Sequence, residues 1–483
     1  MSGLLRLVPG EGDPVPLAAG PPPGRSRPRW AADPIAELAR EMAEVCAAAV
    51  HPDEIAAVLE AGGLTGEQIA ERYGRRDAFE LATELFALVP RAHPEPGPRP
   101  DPWRVSPGRF GLRSVVFTLP GLGYALGSPL PDGPHERFGQ PAGTSALVAS
   151  ALVAWALNQA LAHRAYVRLA AGGRAAAARR LAAGAPLAAA LAAAAALALA
   201  APARTAAFAA GQALYLAAAT VLLVLGHERL LLLALLPTAA GGAALLVTDP
   251  PAVVGTCLLL ATTGGALAGA GWQTVRALRG EKAPAGVPAP PLHASVPYGL
   301  FGLGCGVLTV IAALGGNVAD HTANPASGPS VISLTLSMGA AEWLLYRCRG
   351  RALAALGAVT TPAGLLGRAA RVLAGCVGAY LAVLTALVGV VGALWPGGAP
   401  PTGAALAALL ALGAVLWTGL LLQAYGAAWL PALLCTGAAA AEAAALAPGP
   451  PSPLAGRLIA GGCAAVVLLA VAAARLGRIT THR

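Results

Sequence analysis

The chain has 483 residues, 56% of them hydrophobic and only 12% charged. A soluble globular protein carries about 25% charged residues, so this composition excludes an ordinary soluble protein. The long apolar runs are rich in Ala, Leu, Val and Gly without alternation, which excludes a β-barrel and leaves an all-α, polytopic membrane protein.

The charge is unevenly divided. Residues 1–142 hold 18 of the 24 acidic side chains and 14 of the 33 basic ones. The remainder is therefore strongly basic. In a membrane protein this reads as cytoplasmic loops facing anionic lipid, not as a nucleic-acid footprint. Seven cysteines lie at 46, 257, 305, 348, 376, 435 and 463. None has metal-ligand spacing, and they read as small hydrophobes.

Residues 1–31 include PPPGRSRPRW and have neither a signal-like apolar core nor a folding pattern; disorder is expected there. Residues 32–92 read as a small cytoplasmic helical module. Asp33, Pro52, Thr65 and Asp77 each open a predicted helix, and Gly62, Gly63 and Gly74 close them. The piece LEAGGLTGEQIAERYG has helix–turn–helix character. Its acidic surroundings argue against nucleic acid and favour a protein partner at the membrane surface. Residues 93–111 form a Pro-rich tether.

From 112 onward about twelve spans are expected, each long enough for a ~30 Å hydrocarbon layer. Six fall in 112–272, near 112–130, 145–162, 184–202, 206–226, 230–247 and 252–272. Six fall in 297–474, near 297–316, 329–346, 372–395, 403–424, 428–447 and 455–474. The first is the weakest, interrupted by Pro120, Gly121 and Gly123. If it spans, the basic loop at 164–180 faces the cytoplasm, as the positive-inside rule demands. Residues 273–296 form a Pro-rich cytoplasmic linker between the halves. Residues 347–371 read as an interfacial segment bending at Pro362. Residues 475–483 are a cytoplasmic tail. Both termini are thus expected on the inner side of the plasma membrane.

Polar groups within the spans are few, and each is a candidate site. Glu442 and Arg457 flank a short outer turn and are expected to pair, as a hairpin clamp or as an outer gate. Glu342 either pairs with Arg347 near the inner face or lines a cavity. Asn158, Gln159 and Gln212 line a cavity or bridge helices. No ATPase, metalloprotease or hydrolase motif is present. Neither an enzyme activity, a cofactor nor a metal is expected.

Two stretches resemble a known family. Residues 139–184 are similar to the first two helices of the multidrug/oligosaccharidyl-lipid/polysaccharide (MOP) flippase superfamily. SVPYGLFGLGCGVLTVIAALGG (295–316) and SLTLSMGAAEWLLYRCRGRAL (333–353) resemble helices seven and eight of its Pel-type exopolysaccharide exporters. The matched positions are Pro297, Tyr298, Gly302, Gly339, Glu342 and Arg347. The resemblance implies two inverted bundles around a central cavity, alternating access, and a polysaccharide or lipid-linked glycan as substrate. Apart from it, a membrane scaffold that anchors residues 32–92, or a small-molecule transporter of another class, fits the same span pattern.

Overall fold

The computed structural model describes residues 33–92, 107–127, 143–199, 202–245, 247–248, 250–280, 290–320, 327–357, 359, 361–394, 401–447 and 452–478. The expected disordered segment 1–31 lies outside the described residues, as do most of the tether, the middle of the linker and the last five residues of the tail. Every regular element among the described residues is helical. The chain divides into two compact units, Met1–Pro100 and Asp101–Arg483.

The described part of the first unit contains α1 (Pro34–Glu41), α2 (Ala43–Ala48), α3 (Pro52–Ala61), α4 (Gly66–Tyr73) and α5 (Ala78–Leu88). The first expected helix is divided at Met42. Side-chain caps set the starts. Asp33 accepts from the Ile35 amide at 3.0 Å, and Asp77 accepts from the Glu80 amide at 2.8 Å. Thr65 and Gln68 form a reciprocal capping box, which satisfies two amides the helix leaves free. Gly74, with φ 68°, ends α4 in the left-handed region that a Cβ disfavours. Ile55, Leu59, Ile69, Leu81 and Leu85 are fully enclosed and make one core. At the corner between α4 and α5, Arg75 Nη2 donates to Glu84 Oε1 at 2.8 Å. That hydrogen bond pushes the guanidinium above its ordinary value.

The second unit begins with α6 (Pro107–Gly127), which starts within the expected tether and runs through Pro120. It continues with α7 (Thr144–Ala198), α8 (Ala203–Val224), α9 (Glu228–Ala244), α10 (Ala252–Gly280) and a 3-10 turn at Leu292–Ser295. The remaining helices are α11 (Val296–Asp320), α12 (Ser327–Leu336), α13 (Met338–Gly357), α14 (Pro362–Leu394), α15 (Gly403–Ala424), α16 (Trp429–Ala444) and α17 (Pro453–Leu476).

An expected loop and an expected interfacial segment are both continuous with longer helices instead. The basic stretch after His163 stays helical because Ala and Arg favour helix. It breaks only at Gly172 and Gly173, the latter with φ 69°. The segment after Arg347 extends α13 to Gly357. Pro362 then opens α14 at the position where a proline costs no hydrogen bond, instead of bending an interfacial segment.

Among the described residues, seven helices are long and apolar enough to cross a membrane, and α16 is a shorter apolar helix. Large apolar side chains such as Leu191, Leu260, Val390, Leu394, Leu433 and Val466 are exposed along them. Exposure of that kind suits a membrane-embedded protein, where lipid replaces water. The buried apolar residues of this unit gather in two large clusters. One draws on Val116 to Ala270, the other on Phe301 to Leu476.

Candidate functional site

Two helix contacts bridge the clusters. In the first, α11 lies against α7, and glycines make the approach possible. A Cβ at Gly302 would meet Gln159 Cγ at 2.8 Å and the Trp155 carbonyl oxygen at 3.2 Å. One at Gly306 would meet Leu152 at 2.8 Å. At the end of this contact the Tyr298 ring stacks on His163, with centroids 3.8 Å apart. His163 Nδ1 lies 3.0 Å from Ser295 Oγ, and Arg164 donates to the Pro291 carbonyl at 3.1 Å. The described end of the linker is thereby fastened to α7.

In the second contact α6 lies against α12 and α13. Gly339 touches Ser114 and Phe110 so closely that no side chain fits. Beside it, Arg113 of α6 joins two carboxylates. Its Nη2 donates to Glu228 Oε1 at 2.7 Å and its Nε to the same oxygen at 3.2 Å, while Nη1 donates to Glu342 Oε1. All three side chains are largely buried. Both carboxylates bond to the one guanidinium, so the network is charge-assisted.

A cavity lies elsewhere, between α6, α8, α9 and α10. It has a volume of about 780 Å³ and mostly apolar walls, including Pro120, Phe208, Leu235, Leu260 and Leu267. Proline shapes two of its walls. Pro120 sits within α6 and Pro237 within α9. Pro237 removes a backbone donor from α9, and the next amide, Thr238, donates to Thr262 Oγ1 of α10 at 3.2 Å. One polar pair faces the space: Tyr124 Oη donates to Gln212 Oε1 at 2.8 Å. Gln212 Nε2 is buried without a hydrogen-bond partner. Arg204 and Thr256 also line the cavity.

The sequence-derived candidates are thus dispersed. Of the four cavity candidates, only Gln212 lines this cavity. Gln159 packs on Gly302, and Asn158 is buried with its Oδ1 unpartnered. Glu342 bonds to Arg113 and does not pair with Arg347, whose guanidinium lies over the Trp343 ring at 4.9 Å. Residues five apart point to different faces of a helix, which explains the failure of that pairing. Glu442 and Arg457 sit on adjacent helices and interact through space, but without a direct ion pair. The Glu442 carboxylate lies beside Gly461, one turn along α17 from Arg457, where the missing side chain leaves room. Of the resemblance positions, Tyr298, Gly302, Gly339 and Glu342 all lie where the two clusters meet, and Pro297 opens that stretch of α11.

Sequence reasoning missed Arg113 and Glu228. A signal existed. Glu228 is one of only six acidic residues beyond position 142, and a carboxylate in that setting needs a cation. No family model, no curated protein and no solved structure matches the chain.

Proposed function

We propose that this chain is a twelve-pass translocator of the flippase type, moving an amphiphile such as a lipid-linked glycan across the plasma membrane. In this reading α6, the two arms of α7, α8, α9 and α10 form one half, spanning 112–272. The segments α11, α12 with α13, α14, α15, α16 and α17 form the other, spanning 297–474. The linker 273–296 and both termini are cytoplasmic.

The cavity between α6, α8, α9 and α10 carries the proposal. Its apolar walls suit a lipid tail, and its unpartnered Gln212 amide, beside Tyr124, offers a donor for a sugar or phosphate oxygen. The two separate hydrophobic clusters add support, since halves that rock against each other need cores of their own. The Arg113 network supplies a joint of the bistable kind, able to exchange partners as the halves move. The MOP-like stretches point the same way.

The test is photo-crosslinking of the full-length protein in nanodiscs with a diazirine-bearing lipid-linked sugar. Labelled peptides from α6, α8 and α10, competed by the unlabelled lipid, support the reading. Labelling spread over lipid-facing surfaces without competition contradicts it.

A second reading has its own observation. The α7–α11 contact is closed by Gly299, Gly302 and Gly306, where a central cleft is expected of a transporter. A scaffold that presents the acidic module 32–92 to a cytoplasmic protein fits that closure. Capture of a partner by the module, together with no competed labelling, favours the scaffold.

A further inference from the structure

A second, smaller pocket lies at the broken end of α7. It has a volume of about 370 Å³ and is lined by Arg174, His227, Gln273, Arg276, Ala277 and Gly280. We propose that this pocket binds a phosphate group, carried by an anionic phospholipid headgroup or free in the cytoplasm.

The pocket is built by three elements. The Gly172–Gly173 break turns α7 so that Arg174 begins its second arm. The short link from α8 to α9 supplies His227, and the last turns of α10 supply Gln273 and Arg276. Arg174 is held in place before any ligand arrives. Its Nη2 donates to the Leu225 carbonyl and lies 2.8 Å from His227 Nε2. A guanidinium has no acceptor, so His227 Nε2 accepts and its Nδ1 carries the proton. That leaves an imidazole N–H to donate.

Gln273 is the second observation. It is 8% exposed as a residue and lines the pocket. Its amide adds an uncharged donor beside the two guanidiniums.

The electrostatics agree. Among the described residues no carboxylate lines the pocket. Glu228, next in sequence to His227, is held by Arg113. His227 lies below the ordinary histidine value through burial and through the charges of Arg174 and Arg276, with Glu228 acting weakly the other way. Among the described lining residues the fixed charges are thus the two guanidiniums of Arg174 and Arg276. Two guanidiniums, an imidazole N–H and an amide are donors suited to a tetrahedral dianion or a phosphodiester. Basic pockets between helix ends at the cytoplasmic face are where anionic headgroups bind.

The proposal is independent of whether the chain transports anything. The test uses full-length protein stripped of lipid in detergent. Native mass spectrometry reads retention of added phosphatidylglycerol against phosphatidylcholine, and thermal unfolding reads the response to inorganic phosphate. The variants are R174Q/R276Q, the uncharged change Q273L, and R475Q/R478Q as a charge-matched control.

Wild type and control should bind alike. R174Q/R276Q should bind roughly tenfold or more weakly, from the loss of two basic contacts, and Q273L several-fold more weakly. Phosphatidylglycerol that millimolar phosphate does not displace identifies a lipid headgroup as the source. Stabilisation by phosphate alone, lost in R174Q/R276Q, identifies the free anion. Equal binding of both ligands by wild type and Q273L overturns the proposal, whether or not the double variant folds.

Discussion

The Arg113 Nη2 atom stands 2.7 Å from Glu228 Oε1, a contact that ties α6 to the first turn of α9 across 115 positions of sequence. The same guanidinium reaches Glu342 of α13. One side chain on α6 therefore holds a helix from each of the two hydrophobic clusters.

Removing that side chain should be costly. R113A removes the guanidinium that both carboxylates bond to, and breaking a buried pair in this way costs about 3–5 kcal/mol. R113K should be intermediate, because an ammonium does not present the forked geometry. Neutralising both acids as well, in R113M/E228Q/E342Q, should recover much of the loss. Unfolding in mild detergent, followed by circular dichroism, checks the order.

The glycines at the two bridging contacts should differ in tolerance. G339A drives a methyl group into Ser114 and the Phe110 backbone oxygen, which cannot step aside. G302A meets the flexible Gln159 side chain first. Overpacking of this kind costs about 1–3 kcal/mol, and G339A should stand at or above the upper end. The difference in melting temperature between the two single variants measures it.

In the cavity, stability and binding should part company. Q212L removes a buried amide nitrogen that has no partner but also the oxygen that accepts from Tyr124, so the two effects oppose and the empty protein should change little in stability. Binding of a lipid-linked sugar should fall roughly tenfold, the equivalent of one hydrogen bond of about 1.4 kcal/mol. Microscale thermophoresis on nanodiscs reads the affinity, and thermal unfolding reads the stability.

Residues 33–92 should fold without the rest of the chain. They carry one enclosed core and their own caps. A fragment of that length should be helical and melt in one step. T65A should cost about 1 kcal/mol through the lost cap, and L85A about 2–5 kcal/mol through the cavity left in the core. Urea unfolding of the three fragments decides this. The fragment holds twelve acidic and five basic residues, so labelled duplex DNA should show no shift at low salt.

How far the sequence reached follows from what local pattern can encode. Caps and glycine stops announced the soluble helices, because Asp33, Thr65, Gly74 and Asp77 act on their own neighbours. The apolar runs announced the membrane helices for the same reason. Boundaries failed where a polar stretch had high helix propensity, as after His163 and after Arg347. The site was less legible. Partners such as Arg113 and Glu342 lie 229 positions apart, and no periodicity in either segment points to the other. Glu442 and Arg457 look like a pair on a helical ladder, but the gap above Gly461 draws the carboxylate one turn away. Gln212 was readable as a polar residue among apolar ones, whereas Tyr124, its partner, lay in the span weakened by Pro120.

Reconstituted vesicles give the most direct test of the central claim. The protein is inserted into liposomes that carry a nitrobenzoxadiazole-labelled lipid-linked sugar, and dithionite is added from outside. Dithionite bleaches only label in the outer leaflet, so empty liposomes should lose roughly half of their fluorescence. Liposomes containing the wild-type chain should lose nearly all of it, and Q212L should slow the second phase. A bleached fraction equal to that of empty liposomes, from protein shown to be folded and inserted, contradicts a translocator.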